Sequence, residues 1–96
     1  MEKLEKEKLE KVTKVFIQYT EKVKSLNVQQ ETQLNLYGLY KQINFGDNTT
    51  PQPNFFDFRG LAKWNAWNVY KGISSKFHLM HMYIQLVKNV QNNLIN

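Results

Sequence analysis

The sequence predicts an all-α domain built from four helices. Apolar side chains recur every three or four residues in four separate stretches, which is the period of a helix that buries one face. Four glycines and two prolines in 96 residues are too few for a turn-rich all-β protein. A chain of this length is expected to form one domain rather than two. The predicted helices span roughly residues 3–26, 30–45, 60–71 and 75–93.

The first predicted helix changes character along its length. Its second half carries an apolar stripe, formed by Val12, Phe16, Tyr19, Val23 and Leu26. The first ten residues, MEKLEKEKLE, offer Glu–Lys pairs at helical spacing but little apolar surface. We therefore expect residues 1–12 to form a solvated N-terminal helical extension and residues 13–96 to form the folded domain.

The other three helices show the same period. Leu36, Leu39 and Ile43 define the buried face of the second helix, Ala62, Ala66 and Val69 that of the third, and Phe77, Met80, Ile84 and Val87 that of the fourth. These stripes predict the core.

Turn-forming residues separate the helices. A long loop follows the second helix, because Gly46, Pro51 and Pro53 interrupt the helical pattern there. Its end is rich in phenylalanine (Phe55, Phe56 and Phe58), which predicts that the loop packs onto the domain. Gly72 is predicted to end the third helix at the C′ position, and Ser74 or Ser75 to cap the fourth.

Composition narrows the function classes. The apolar fraction of 42% and the charged fraction of 22% are those of a globular protein. The sequence has no cysteine, which excludes disulfides and thiolate ligands to a metal. No apolar run approaches the roughly 20 residues of a membrane span, and no signal peptide is evident. We therefore expect a cytoplasmic protein, most simply a monomer.

The charge pattern points to an anionic partner. The formal net charge is +5. Residues 1–26 mix seven lysines with five glutamates, which is typical of a solvated helix face. Residues 27–96 carry five lysines and Arg59 against three acidic residues. A specific anion site is therefore expected mainly in the second segment.

A search for catalytic chemistry finds little. Glycine-rich phosphate loops are absent from the sequence. His78 and His81 share a helix face, but no carboxylate is near them in sequence, so no metal site is predicted. The serines do not stand in a nucleophile turn. We expect a protein that is not an enzyme and that uses no cofactor.

The second helix carries the most informative polar pattern. Tyr37, Tyr40 and Lys41 share one face, so they offer two phenols and one ammonium group. These groups suit a heterocycle and a phosphate. The alternative interpretation is that the tyrosines lie at the edge of the core and Lys41 is only solvated. On the third helix Arg59 and Lys63 add positive charge beside two tryptophans, which we expect to be structural.

Together these segments resemble the acyl-CoA-binding protein family. The resemblance is carried by LYGLYKQ at 36–42, Gly46-Asp47, Pro53, DFRGLAKWNAW at 57–67, Lys71-Gly72 and the segment 80–84. It covers residues 34–84 closely and the first helix loosely.

The resemblance implies the four-helix bundle of that family and the binding of medium- and long-chain fatty acyl-CoA esters. It implies an intracellular carrier and pool former, not a catalyst. Transient contact with membranes or acyl-CoA-using enzymes is compatible with it; nucleic acid and transmembrane segments are not expected. The implied ligand contacts are Tyr37, Gly38, Leu39, Tyr40, Lys41, Arg59, Lys63 and Tyr83, with Lys24 and Leu34 as weaker matches.

Two other classes stay open on the residues alone. A small basic helical nucleic-acid-binding domain would explain the charge and the interleaved aromatic residues. A protein-interaction module could use the residues 1–12 to dock a partner.

Overall fold

The computed structural model describes residues 2–92, with side chains from residue 3, and contains four α-helices and no strand in that range. The prediction of an all-α fold with four helices is confirmed. The helices are α1 (Glu2–Lys22), α2 (Gln30–Phe45), α3 (Phe58–Asn68) and α4 (Lys76–Gln91), and a 3-10 helix (Val23–Ser25) follows α1.

The bounds of α2 agree with the prediction, whereas α3 is displaced toward the N-terminus. It begins at Phe58 because the Asp57 carboxylate accepts a hydrogen bond of 2.9 Å from the Gly60 N–H. It ends at Asn68, and the next residues continue as turns in which Tyr70 N–H donates to the Trp67 carbonyl. The assignment of Gly72 as the C′ residue of this helix is therefore wrong.

Gly72 instead closes the turn that leads toward α4. Its φ of 91° lies in the left-handed region that favours glycine. Ser75 immediately precedes the first residue of α4, as expected of a cap position. The predicted end of this helix at residue 93 lies outside the described residues.

The backbone divides into two compact units, residues 1–28 with 76–96 and residues 29–75. In the first, α1 packs against α4. The buried apolar side chains of this unit are Val12, Phe16, Leu79, Met80, Tyr83, Ile84, Val87 and Val90. The rings of Phe16 and Tyr83 meet edge to face with centroids 5.0 Å apart. Phe77, predicted as core, is instead 39% exposed, and its ring contacts His81.

The second unit is built from α2 and α3. Leu36, Leu39, Ile43 and Trp67 are buried, which confirms the predicted buried face of α2. The two helices approach closely at Gly38, since a β-carbon at this position would overlap the carbonyl oxygen of Ala66. Val69 lies beyond the end of α3 and is exposed, so its assignment to the core was wrong.

The loop between α2 and α3 is held by polar contacts. The Nε1–H groups of Trp64 and Trp67 donate to the carbonyls of Thr50 and Gly46, at 3.0 and 2.8 Å. Buried Asn48 accepts from the Thr50 N–H at 2.9 Å. The prediction that the three phenylalanines at its end pack the loop down is wrong, because all three are exposed.

Within residues 2–92, no helix has both the length and the hydropathy that a bilayer crossing requires.

Candidate ligand site on α2 and α3

Two ammonium groups from different helices approach one phenol ring in the unit formed by residues 29–75. The Lys63 Nζ lies 4.9 Å from the centroid of the Tyr37 ring, and the Lys41 Nζ lies 6.0 Å from it. Both distances fall in the range of cation–π attraction. Tyr37 and Lys41 are one turn apart on α2, and Lys63 is on the second turn of α3. The structure thus brings together three of the residues singled out in the sequence.

Lys41 is further surrounded by aromatic rings. Its Nζ lies 4.3 Å from the centroid of Phe45 and 4.9 Å from that of Trp67. These rings shield the ammonium group partly from water, which strengthens its interaction with an anion. Among the side chains that the structure describes, no carboxylate pairs with Lys41 or Lys63. Their charge is therefore available to a ligand.

A pocket of about 350 Å³ lies at this cluster. Its walls come from α2, the loop and α3. The lining residues are Tyr37, Lys41, Thr50, Pro51, Pro53, Gly60, Lys63, Trp64 and Trp67. This volume lies at the lower end of the range for small-molecule sites, about 300–1,000 Å³. A pocket with aromatic walls and two ammonium groups suits an anion that carries a ring.

A buried amide supports the base of the loop. Gln42 is only 3% exposed, and its Nε2 donates to the Asp47 Oδ1 at 2.8 Å and to the Ile73 carbonyl at 3.1 Å. Its Oε1 has no hydrogen-bond partner in the described structure. Gln42 was not among the predicted functional residues, although it is a polar residue beside the apolar face of α2.

Asp47 joins the beginning of the loop to the turn after α3. Its Oδ1 also accepts from the Gly72 N–H at 2.8 Å. This backbone hydrogen bond, and then that of Gln42, lower the pKa of the Asp47 carboxyl below its ordinary value of 3.8, with Lys71 contributing and burial opposing. The carboxylate is thus the form that holds the two segments together.

The same turn is tied to the beginning of α2. The Tyr70 hydroxyl donates to the side-chain oxygen of Asn35. Burial raises the pKa of the Tyr70 phenol, so this group remains a hydrogen-bond donor at neutral pH.

The remaining predicted contacts on this unit differ in accessibility. Tyr40 is exposed beside the cluster, and Arg59 is exposed on the first turn of α3. Gly38 and Leu39 are buried in the helix pair, and Leu34 is half-buried. Their part in ligand binding stays a prediction.

Two predicted contacts belong to the other unit. Tyr83 is 4% exposed and packs against Phe16. Lys24 lies in the 3-10 helix and pairs with Glu21 at 2.6 Å, with both side chains about two-thirds exposed. Their role as ligand contacts is likewise a prediction.

The two histidines give no sign of a metal centre. The part of the chain that the structure describes contains no group of three or more His, Cys, Asp or Glu side chains able to hold a metal ion.

The helical fold and the cationic, aromatic pocket define a small helical domain suited to an anionic ligand. The family model described as acyl-CoA-binding protein matches residues 8–87, and the chain belongs to this family. The resemblance seen in the sequence is confirmed.

Relatives and a solved structure agree. Acyl-CoA-binding domain-containing protein 1 of Oryza sativa is 46% identical over 77 residues, which are 78% of this chain and 84% of the relative. Acyl-CoA-binding domain-containing protein 3 of the same plant is 46% identical over 78 residues, but the chain spans only half of its length. The crystal structure of Oryza sativa acyl-CoA-binding protein 2 is similar with a TM-score of 0.79 and 36% identity, over 86% of this chain and 93% of that one.

Proposed function

We propose that this protein binds medium- and long-chain fatty acyl-CoA esters and serves as a cytoplasmic carrier and pool former without catalysing a reaction. Its membership of the family and the names of its relatives support an acyl-CoA ligand. The site residues of the proposal are the eight positions named from the resemblance, together with Lys24 and Leu34.

The observation that carries this proposal is the approach of Lys41 and Lys63 to the Tyr37 ring. Coenzyme A bears phosphate groups with about four negative charges at neutral pH. Two ammonium groups that pair with no carboxylate among the described side chains would compensate part of this charge. Stacking of the adenine on a tyrosine ring would add roughly 1–3 kcal/mol, by analogy with single-stranded nucleic acid.

The acyl chain should dominate the affinity. Burial of apolar surface contributes about 0.8 kcal/mol per CH₂ group, so a sheltered sixteen-carbon chain offers on the order of 10 kcal/mol before the losses of association. The cationic cluster then selects CoA esters over free fatty acids, and the chain supplies most of the binding free energy.

Calorimetric titration tests whether the acyl chain supplies most of the binding free energy and the cationic cluster the selectivity. Free CoA should bind weakly, octanoyl-CoA more tightly and palmitoyl-CoA most tightly, whereas palmitate alone should bind weakly. An affinity that does not change from a four-carbon to a sixteen-carbon ester would contradict the proposal. Native mass spectrometry of protein purified from cells should show a co-purified acyl-CoA.

A further inference from the structure

Three phenylalanines at the end of the loop are unusually exposed. Phe55, Phe56 and Phe58, here called the phenylalanine patch, are 69%, 73% and 80% exposed. The rings of Phe55 and Phe56 contact each other, with centroids 4.2 Å apart. Exposed aromatic rings clustered in one short segment are typical of an interaction site.

The patch is held on an ordered turn. The Phe56 N–H donates to the Asn54 side-chain oxygen at 3.0 Å, and the Asp57 N–H donates to the Asn54 carbonyl at 2.9 Å. Asp57 in turn caps α3 through the Gly60 N–H. The rings are therefore presented by fixed backbone, so that docking costs little ordering of the chain.

The size of the patch argues against a protein partner. Three phenylalanines at these exposures offer on the order of 400 Å² of apolar surface. A stable protein–protein interface needs about 800 Å² from each partner. A lipid surface makes no such demand, because side chains can enter the headgroup boundary individually.

The charges around the patch select the lipid. Arg59 directly follows Phe58, and Lys63 lies one turn further along α3; both are exposed. The acidic group among these residues, Asp57, is engaged as the helix cap. Basic residues beside inserting aromatic rings favour anionic headgroups.

We propose that the phenylalanine patch docks this protein on anionic lipid bilayers, with the rings in the headgroup boundary and Arg59 at the level of the lipid phosphates. The role of this contact in acyl-chain exchange rests on the proposed function, since a bilayer is a surface at which a long acyl chain can be exchanged. The docking itself depends on no ligand.

Vesicle flotation tests the docking. The wild-type protein should bind phosphatidylcholine vesicles that contain 30% phosphatidylserine, and bind pure phosphatidylcholine vesicles much more weakly. The Phe55→Ser/Phe56→Ser variant should lose at least tenfold in the partition coefficient. Val69→Ser is the matched control, because Val69 is 72% exposed and lies just beyond the opposite end of α3; it should stay within twofold of wild type. Binding should weaken as salt is raised.

A second variant measures directly whether the patch inserts into the bilayer. Phe56→Trp places an indole in the patch, and vesicles with brominated acyl chains should quench the added emission relative to the wild-type protein. If circular dichroism shows that the double serine variant fails to fold, the quenching experiment still tests the insertion. Absence of quenching, or equal flotation of a folded double serine variant and wild type, would overturn the proposal.

Palmitoyl-CoA titration without vesicles separates this proposal from the proposed function. Vesicle binding through the patch with no palmitoyl-CoA binding would refute the ligand and leave the docking intact. Palmitoyl-CoA binding with no vesicle binding would refute the docking alone. A concentration-dependent dimer that the double serine variant abolishes, without vesicle binding, would assign the patch to a protein contact and also refute the docking.

Discussion

The ammonium group of Lys63 lies 4.9 Å from the centre of the Tyr37 ring, although the two residues belong to different helices. Lys41 approaches the same ring from the next turn of α2, the helix that also carries Tyr37. Two like charges are thus collected at one aromatic ring. Their mutual repulsion in that arrangement falls when an anion binds between them.

Removal of either ammonium group should weaken acyl-CoA binding and preserve the fold. Lys41→Ala and Lys63→Ala should each cost about 1–3 kcal/mol of binding free energy, the range of a charge-assisted hydrogen bond. Calorimetric titration with palmitoyl-CoA measures the loss. Lys88→Ala is the matched control, because its Nζ also lies 6.0 Å from a tyrosine ring, that of Tyr19, in the other unit. Equal losses in all three variants would rule out a specific site.

The hydroxyl of Tyr37 should contribute separately from its ring. Tyr37→Phe keeps the aromatic face and removes one donor, and we expect a loss of about 1–3 kcal/mol of binding free energy. Tyr37→Leu also removes the stacking surface and should bind more weakly still. Thermal melting should differ little among the three proteins, since Tyr37 is only half-buried. A variant that unfolds would show that this residue is structural.

Gly38 should be essential for the stability of the helix pair. A β-carbon there would overlap backbone atoms of Ala66, which cannot rotate away as a side chain could. Gly38→Ala should therefore lower the free energy of unfolding by about 1–3 kcal/mol through overpacking, despite the better helix propensity of alanine. Asn44→Ala, at an exposed position of the same helix, serves as the control and should change the urea midpoint little. A Gly38→Ala protein as stable as wild type would show that α3 can move away.

Acid should weaken the link that Asp47 makes between the loop and the turn after α3. Because the folded-state pKa of Asp47 is lowered, its contribution to stability is present above pH 3.8 and is lost as the pH falls through the lower folded value. Asp47→Asn keeps an oxygen acceptor but not the charge. The difference in unfolding free energy between wild type and Asp47→Asn should shrink as the pH falls from about 5 to 2. Urea unfolding across this range measures it, and a constant difference would contradict the assignment.

The sequence predicted α2 and its buried face well, because local periodicity alone determines them. Leu36, Leu39 and Ile43 lie on one side of the helix, which can pack, and polar residues on the other side support this assignment. The start of α3 was missed by two residues, although Asp57 followed three residues later by Gly60 offered the cap that sets it. Helix ends depend on single hydrogen bonds, which periodicity does not reveal.

The site was predictable in composition but not in geometry. Tyr37 and Lys41 share a face by helical spacing alone, whereas the approach of Lys63 depends on how closely α3 packs on α2 at Gly38. The exposure of Phe55 and Phe56 ran against the general preference of large apolar residues for the interior. The tryptophan N–H groups fix the first part of the loop, and the Asn54 side chain and the Asp57 cap fix its end, so the loop is held without burying these phenylalanines.

The tethering of both indoles to the loop also makes them selective optical probes. The sequence has two tryptophans, Trp64 and Trp67, and both belong to the unit formed by residues 29–75. Intrinsic emission therefore reports on α2, α3 and their connection, whereas far-ultraviolet circular dichroism senses α1 and α4 as well. Coincident melting curves from the two signals would demonstrate cooperative unfolding of the whole chain, and a gap between them would reveal an intermediate in which one helix pair outlasts the other.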